Sequence, residues 1–212
     1  MKLMKSALTL SLILLFSSVF AQQNADELLK KVIDKTKTYS ALKIDFEYRM
    51  LNVEAGIDEV KEGVVYVKGD AYKLAMAGQT VISDGETIWT YLEDSEEVMV
   101  SDAAEGEDNI TPSSILTSYY EDHKISYVKN RRNEVVGQET IELKPQEGKK
   151  FVKIQITIDT DKLQIKSFSI FDNGGNEFVY KLKSMDEMKV VEAGFFTFNK
   201  ADYPDVDVID MR

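Results

Sequence analysis

The side chains best suited to binding in this sequence are large, apolar and spaced two apart. Phe46, Tyr48 and Met50 alternate with Glu47 and Arg49, and Tyr72, Leu74 and Met76 alternate with Lys73 and Ala75. Tyr66, Ile82, Trp89, Tyr91 and Phe168 stand in further segments of the same kind. A period of two puts alternate side chains on one face of a strand, so these residues can line much of a curved sheet. Such a lining has two readings. It is an ordinary filled core, or it is the wall of a cavity whose aromatic and methionine side chains adapt to alkyl chains. Composition does not separate them.

Bond-making chemistry has far less to stand on. His123 is the single imidazole, so a metal cluster of histidines is excluded and any serine triad would rest on this one residue. Carboxylates abound, but none sits in a motif that marks an acid and a base. The chain has no glycine-rich phosphate loop, nucleophile elbow or zinc motif. With no cysteine there are no disulfides, thiolate metal sites or cysteine nucleophiles, and no lipid-modified cysteine anchor. The expectation is a protein that is not an enzyme and uses no cofactor.

The elements that must position the apolar residues follow from periodicity. Asn24 can cap a helix whose apolar face is Leu28, Leu29, Val32 and Ile33, with Lys35 and Lys37 at its far end. From Ile44 the period changes to two. Strands are predicted over 44–50, 62–68, 71–76, 79–83, 87–92, 96–101, 125–129, 134–144, 151–159, 162–171, 177–184 and 195–199. Asp84-Gly85, Asn173-Gly174-Gly175 and Asp159-Thr160-Asp161 are turn signals. Many short strands without intervening helices argue a mainly β protein with a few α-helices, its antiparallel sheet closing toward a barrel. Leu163 and Ile165 are followed by Phe168 and Ile170, so the apolar phase switches between Lys166 and Ser167. That predicts a bulge. Thr111 and Pro112 open a second, short helix with Leu116, Tyr119 and Tyr120 on its apolar side. The stretch from Glu93 to Asp108 holds eight acids and no base, and reads as a solvated loop, its carboxylates lacking the alternation of a calcium loop.

The 212 residues carry 37 acids against 26 bases, a net charge of −11, which makes nucleic acid an unfavourable partner. Residues 1–21 have Lys2 and Lys5 before an apolar run, then small residues at Val19 and Ala21. This is a secretory signal, its apolar run too short for a spanning helix. Cleavage after Ala21 leaves 22–212 as one domain, without a repeat or linker, expected in a periplasm and as a monomer.

One segment goes further. Val81-Ile82-Ser83-Asp84-Gly85-Glu86-Thr87-Ile88-Trp89-Thr90-Tyr91 resembles a hairpin of the LolA-type periplasmic carriers of outer-membrane lipoproteins. Gly63 to Lys68, Thr111-Pro112 with Ile115-Leu116, and Phe196-Thr197-Phe198 followed by Val206 to Asp210 are similar to that family's other segments, in the same order. The resemblance implies an incomplete, half-open antiparallel β-barrel with a helical lid over an apolar cavity. It implies acylated lipoproteins as cargo, taken from an inner-membrane lipoprotein-releasing ABC transporter and passed to an outer-membrane lipoprotein acceptor. Tyr72, Leu74 and Met76 match the cavity-edge strand, Trp89 and Tyr91 the hairpin, and Ile115 and Leu116 the lid. With Phe46, Tyr48, Met50, Tyr66, Ile82 and Phe168 these form the expected acyl-chain-binding set. The family's lid-latching Arg-Pro is replaced here by Gly69-Asp70. A general periplasmic lipid or glycolipid carrier, or a lipid-sensing regulatory domain, is the alternative on the same fold. The family's membrane-anchored receptor needs a lipidated cysteine after the signal, whereas Gln22 stands here.

Overall fold

The computed structural model describes residues 25–103, 111–117, 123–128, 135–145 and 151–212. The expected signal and the Asn24 cap lie outside these residues, as do Tyr119, Tyr120 and residues 104–108 of the acidic stretch. That stretch is not a solvated loop throughout, because Glu97–Asp102 form a strand that buries Val98 and Val100. Helix α1 occupies 25–36. Its Leu29, Val32 and Ile33 are at most 2% exposed, so the predicted stripe is the buried one, with Leu28 at its half-buried edge.

Strands β1 (Leu42–Asn52), β2 (Ile57–Lys68), β3 (Ala71–Met76), β4 (Gln79–Ser83), β5 (Thr87–Leu92) and β6 (Glu97–Asp102) follow as successive hairpins. After helix α2 (Pro112–Thr117) come β7 (His123–Tyr127), β8 (Gln138–Pro145), β9 (Phe151–Asp159), β10 (Gln164–Asp172) and β11 (Glu177–Glu187). The last strand is β12 (Asp207–Asp210). Among the described residues all twelve form one sheet, in the order β12-β6-β5-β4-β3-β2-β1-β11-β10-β9-β8-β7. The chain thus winds outward from β1, then returns from the opposite edge until β11 meets β1. The two edge strands, β12 and β7, do not pair with each other. The sheet is an unclosed, half-open barrel.

Local chemistry fixes its turns. Asp84 Oδ1 accepts from the backbone N–H groups of Glu86 and Thr87 at 2.9 and 2.8 Å, leaving Gly85 to take a φ of 101°. Asp172 Oδ1 does the same for Gly174 and Asn176 at 2.8 and 2.9 Å. The buried Asn52 ties the neighbouring turn to it, its Nδ2 donating to Asn176 Oδ1 at 2.8 Å. The bulge predicted from the phase switch is present: the β10–β9 register slips between Ile165 and Ser167. A second slip, at Asp45/Phe46 against β11, has no such signature in the sequence. Such slips bend a strand and increase its local twist.

Three expectations of strand placement and pairing are corrected. Residues 195–199 form turns, not a strand: Gly194 takes a φ of 81°, and the Thr197 N–H bonds back to the Gly194 carbonyl at 3.0 Å. The two alternating apolar side chains, Phe196 and Phe198, are too few to hold a strand against that turn. The closing strand is instead β12, and it runs parallel to β6, so among the described residues the sheet is antiparallel at every pairing but this one. Strand β8 also starts later than predicted, because Val135 and Val136 are exposed and Gly137 turns with a φ of 79°.

The main core lies on the inner face, where Ile141, Leu143, Ile154, Ile156 and Ile158 are fully buried and share one cluster with the α1 stripe. Lys35 Nζ also donates to the Lys162 carbonyl in the β9–β10 turn.

Candidate binding cavity

Away from α1, the same inner face is not filled. A cavity of about 150 Å³ lies between the sheet and α2. Its floor comes from the centre of the barrel: Ile44 and Phe46 of β1, Val65 of β2 and Leu74 of β3. Phe168 and Ile170 of β10 with Tyr180 and Leu182 of β11 form one wall, and Pro112 and Ile115 of α2 form the roof. Register explains the grouping. Ile44, Val65 and Leu74 are cross-strand partners, as are Tyr48, Tyr180 and Phe168 on the other side.

Helix α2 is placed by its own start. The Ser114 N–H bonds to Thr111 Oγ1 at 3.1 Å, and the Thr111 N–H bonds to Ser114 Oγ at 3.0 Å, a reciprocal cap. Pro112 takes the first helical position, where no donor is lost. The helix packs on β2 and β3 and turns Ile115, 4% exposed, toward the sheet. Gly69 and Asp70, at the expected latch position, are exposed in the β2–β3 turn.

The expected residues are divided by the sheet. Phe46, Leu74, Ile115 and Phe168 line the cavity. Tyr48 stands at its margin, its ring 5.1 Å from that of Tyr180, and Met50 lies further along β1, opposite Phe178. Tyr72 is buried in the main core. Met76 lines an adjoining open groove of about 520 Å³ with Gly63, Gln79, Glu93 and Lys183. Phe46 borders both spaces. Its ring lies so close to Gly63 that a Cβ there would come within 2.6 Å of Phe46 Cζ. Leu116 is on α2, but its side chain lies outside the described residues.

Tyr66, Ile82, Trp89 and Tyr91 are elsewhere. The register ladder Tyr66–Lys73–Ile82–Trp89–Val100 runs across the outer face. The C-terminal segment covers it: Phe195 meets Tyr66 at 5.1 Å and Tyr203 meets Tyr91 at 4.9 Å. Val206 is buried there with Val98 and Val100. Sequence reasoning missed Ile44, Val65, Ile170, Tyr180, Leu182 and Pro112. The signal for Val65 was parity: it shares a face with Leu74, whereas the larger Tyr66 beside it points the other way.

Nearly all the described cavity wall is hydrocarbon, and burial pushes the pKa of Tyr180, the one titratable side chain among its described residues, up to about 12, with Tyr48 adding to the effect. Among the described residues no group of three or more His, Asp or Glu side chains could hold a metal ion. What the arrangement can do is shelter an apolar ligand.

A half-open barrel that keeps an apolar cavity under a short helix defines a class of proteins that bind hydrophobic ligands. Residues 39–199 match the family described as outer membrane lipoprotein carrier protein LolA, and the chain belongs to that family. It is 24% identical over 211 residues to an outer-membrane lipoprotein carrier protein of Shewanella baltica, covering 98% of this chain and 96% of that one. A relative of the same name from Glaesserella parasuis is 28% identical over 200 residues, covering 91% and 90%. An uncharacterized conserved protein from Thermus thermophilus has a similar fold, with a TM-score of 0.57 at 14% identity over 88% of this chain and 99% of that one.

Proposed function

We propose that this protein is a periplasmic carrier and chaperone. It binds the acyl chains of lipoproteins released from the inner membrane and delivers them to the outer membrane. The observation that carries this reading is the apolar cavity beneath α2, in a chain that matches named lipoprotein carriers along nearly their whole length. The secretory signal of residues 1–21, cut after Ala21, supports the periplasm. The residues proposed to touch acyl chains are those of the cavity wall, foremost Phe46, Leu74, Ile115 and Phe168. A lipoprotein-releasing ABC transporter and an outer-membrane acceptor are the proposed donor and recipient. The carrier itself makes and breaks no covalent bond.

Size says how the cavity works. An apolar cavity of about 150 Å³ holds one benzene-sized group, far less than an acyl chain. The structure is therefore the closed form, and loading displaces α2. Pulling Ile115 and Pro112 off the sheet costs about 3 kcal/mol. An entering chain returns this with its first few methylenes, at about 0.8 kcal/mol each. Three chains of about 15 methylenes would give roughly 36 kcal/mol if fully buried, beyond the ceiling of about 20 kcal/mol for any non-covalent complex. Burial is therefore partial, which also permits release by direct hand-over between apolar sites.

The test is extraction. The purified protein, added to inner-membrane vesicles that hold a triacylated lipoprotein and its energised transporter, releases the lipoprotein into the soluble fraction. Lipoprotein that stays with the vesicles overturns the proposal.

A further inference from the structure

An acyl chain is not pure hydrocarbon, because it ends in the carbonyl of an ester or amide. Of the ten described residues around the cavity, nine have hydrocarbon side chains and the tenth, Tyr180, brings a hydroxyl. That hydroxyl makes no hydrogen bond among the described residues. The ring behind it is held on three sides. It stacks on Phe168 with centroids 4.5 Å apart and planes at 13°, and meets Tyr48 at 5.1 Å and Phe46 at 6.0 Å. With its pKa raised to about 12 by burial, the phenol is neutral at any working pH and so keeps its proton to donate.

We propose that Tyr180 Oη donates a hydrogen bond to the carbonyl of an acyl ester or amide whose chain fills the cavity, so that the site selects acyl over alkyl chains. The inference rests on the carrier reading above. A hydroxyl enclosed by a ligand that offers no good acceptor is left unpaired, which costs binding. A site that hydrogen-bonds its ligand therefore rejects the analogue lacking the bonding group.

The experiment compares dipalmitoylphosphatidylcholine with its di-O-hexadecyl ether analogue, each displacing an apolar fluorescent dye from the wild type and from Tyr180→Phe. The wild type is expected to prefer the ester about 3- to 10-fold, the worth of one net hydrogen bond, and Tyr180→Phe to bind both alike. A triacylated lipopeptide is run in parallel: weakening by Tyr180→Phe of one ester source or of both supports the bond and says which source the site takes. A second reading needs no variant. The infrared stretch of a ¹³C-labelled palmitoyl carbonyl shifts to lower frequency when it is bound to the wild type. Equal ester and ether affinities in the wild type, with an unshifted carbonyl, overturn this inference and leave the carrier reading standing. A wild type that binds no lipid at all overturns both.

Discussion

On the inner face of the sheet, the rings of Phe46, Phe168 and Tyr180 surround a cavity roofed by a helix of six residues. On the outer face, Tyr66, Trp89 and Tyr91 are covered by the chain's own C-terminal segment, tied down by β12 on β6. Both faces arise from the same alternation of apolar and polar residues. They differ in what closes them. The outer cover is a strap more than ten residues long, with Phe198 stacked on Tyr203 and Val206 buried beneath it. Where space remains under the strap, Lys73, Glu192 and Asp202 line it and make it polar. The inner roof is a short helix that leaves apolar space unfilled. On the proposed carrier reading, an aromatic residue in this protein serves stability or ligand according to the element lying over it.

The sharpest way to break this comparison is to place a charge on each face. Leu74→Glu puts a carboxylate into the apolar cavity, and lipid binding is expected to fall by about 100-fold or more, given several kcal/mol for burying such a charge unpaired. Trp89→Glu is expected to loosen the C-terminal strap while lipid binding stays within about threefold, since nothing on the outer face enters the cavity. Dye displacement at matched folded fractions, checked by circular dichroism, reads both. If the two variants lose binding alike, the division between the faces is wrong.

Stability should divide in a related way. Ile156 is fully buried in the filled part of the inner face, and Ile156→Ala is expected to cost about 2–5 kcal/mol in urea unfolding. Ile170 borders space that is already empty. Ile170→Ala is expected to cost about half as much, because fewer contacts are lost. Tyr203→Ala removes the ring contact that pins the strap to Tyr91 and the stacking on Phe198 within it. It is expected to cost about 2 kcal/mol and to speed amide exchange in β6 and β12, with lipid binding unchanged.

The last effect appears only on acidification and concerns the outer face beyond the reach of the strap. There Glu142 accepts hydrogen bonds from Gln155 at 2.9 Å and Lys153 at 3.2 Å, and pairs with Lys144 at 3.1 Å. Burial alone would raise its pKa, but these partners together outweigh burial and hold it at about 2. A carboxyl lowered by folding contributes stability that is present above its unfolded pKa and lost as pH falls through the folded one. The contribution, on the order of 2 kcal/mol, is therefore lost between about pH 4.5 and 2. Glu142→Gln should flatten that part of the stability profile.

Most of the fold was legible because it rests on local rules. The α1 stripe, the three turn motifs and the bulge at Lys166 are all written in short segments, where periodicity and turn chemistry act directly. The slip at Asp45/Phe46 and the parallel β12 were not legible, since both depend on a strand far away in sequence. The cavity was legible in kind and only partly in detail. Phe46, Leu74 and Phe168 were found by size and alternation. Tyr66 and Trp89 have the same size and alternation but the opposite parity relative to Leu74, and parity becomes visible only once the register is known. Val65 and Leu182 were overlooked because a medium aliphatic residue in a strand carries no mark of facing a cavity.

The central claim is that the space under α2 holds acyl chains of lipoproteins. Native mass spectrometry of the protein purified from its own periplasm, beside Leu74→Glu, tests it most directly. The account predicts an acylated lipoprotein bound to the wild type and absent from the variant. Phospholipid alone on the wild type, or the same bound mass on both, would contradict it.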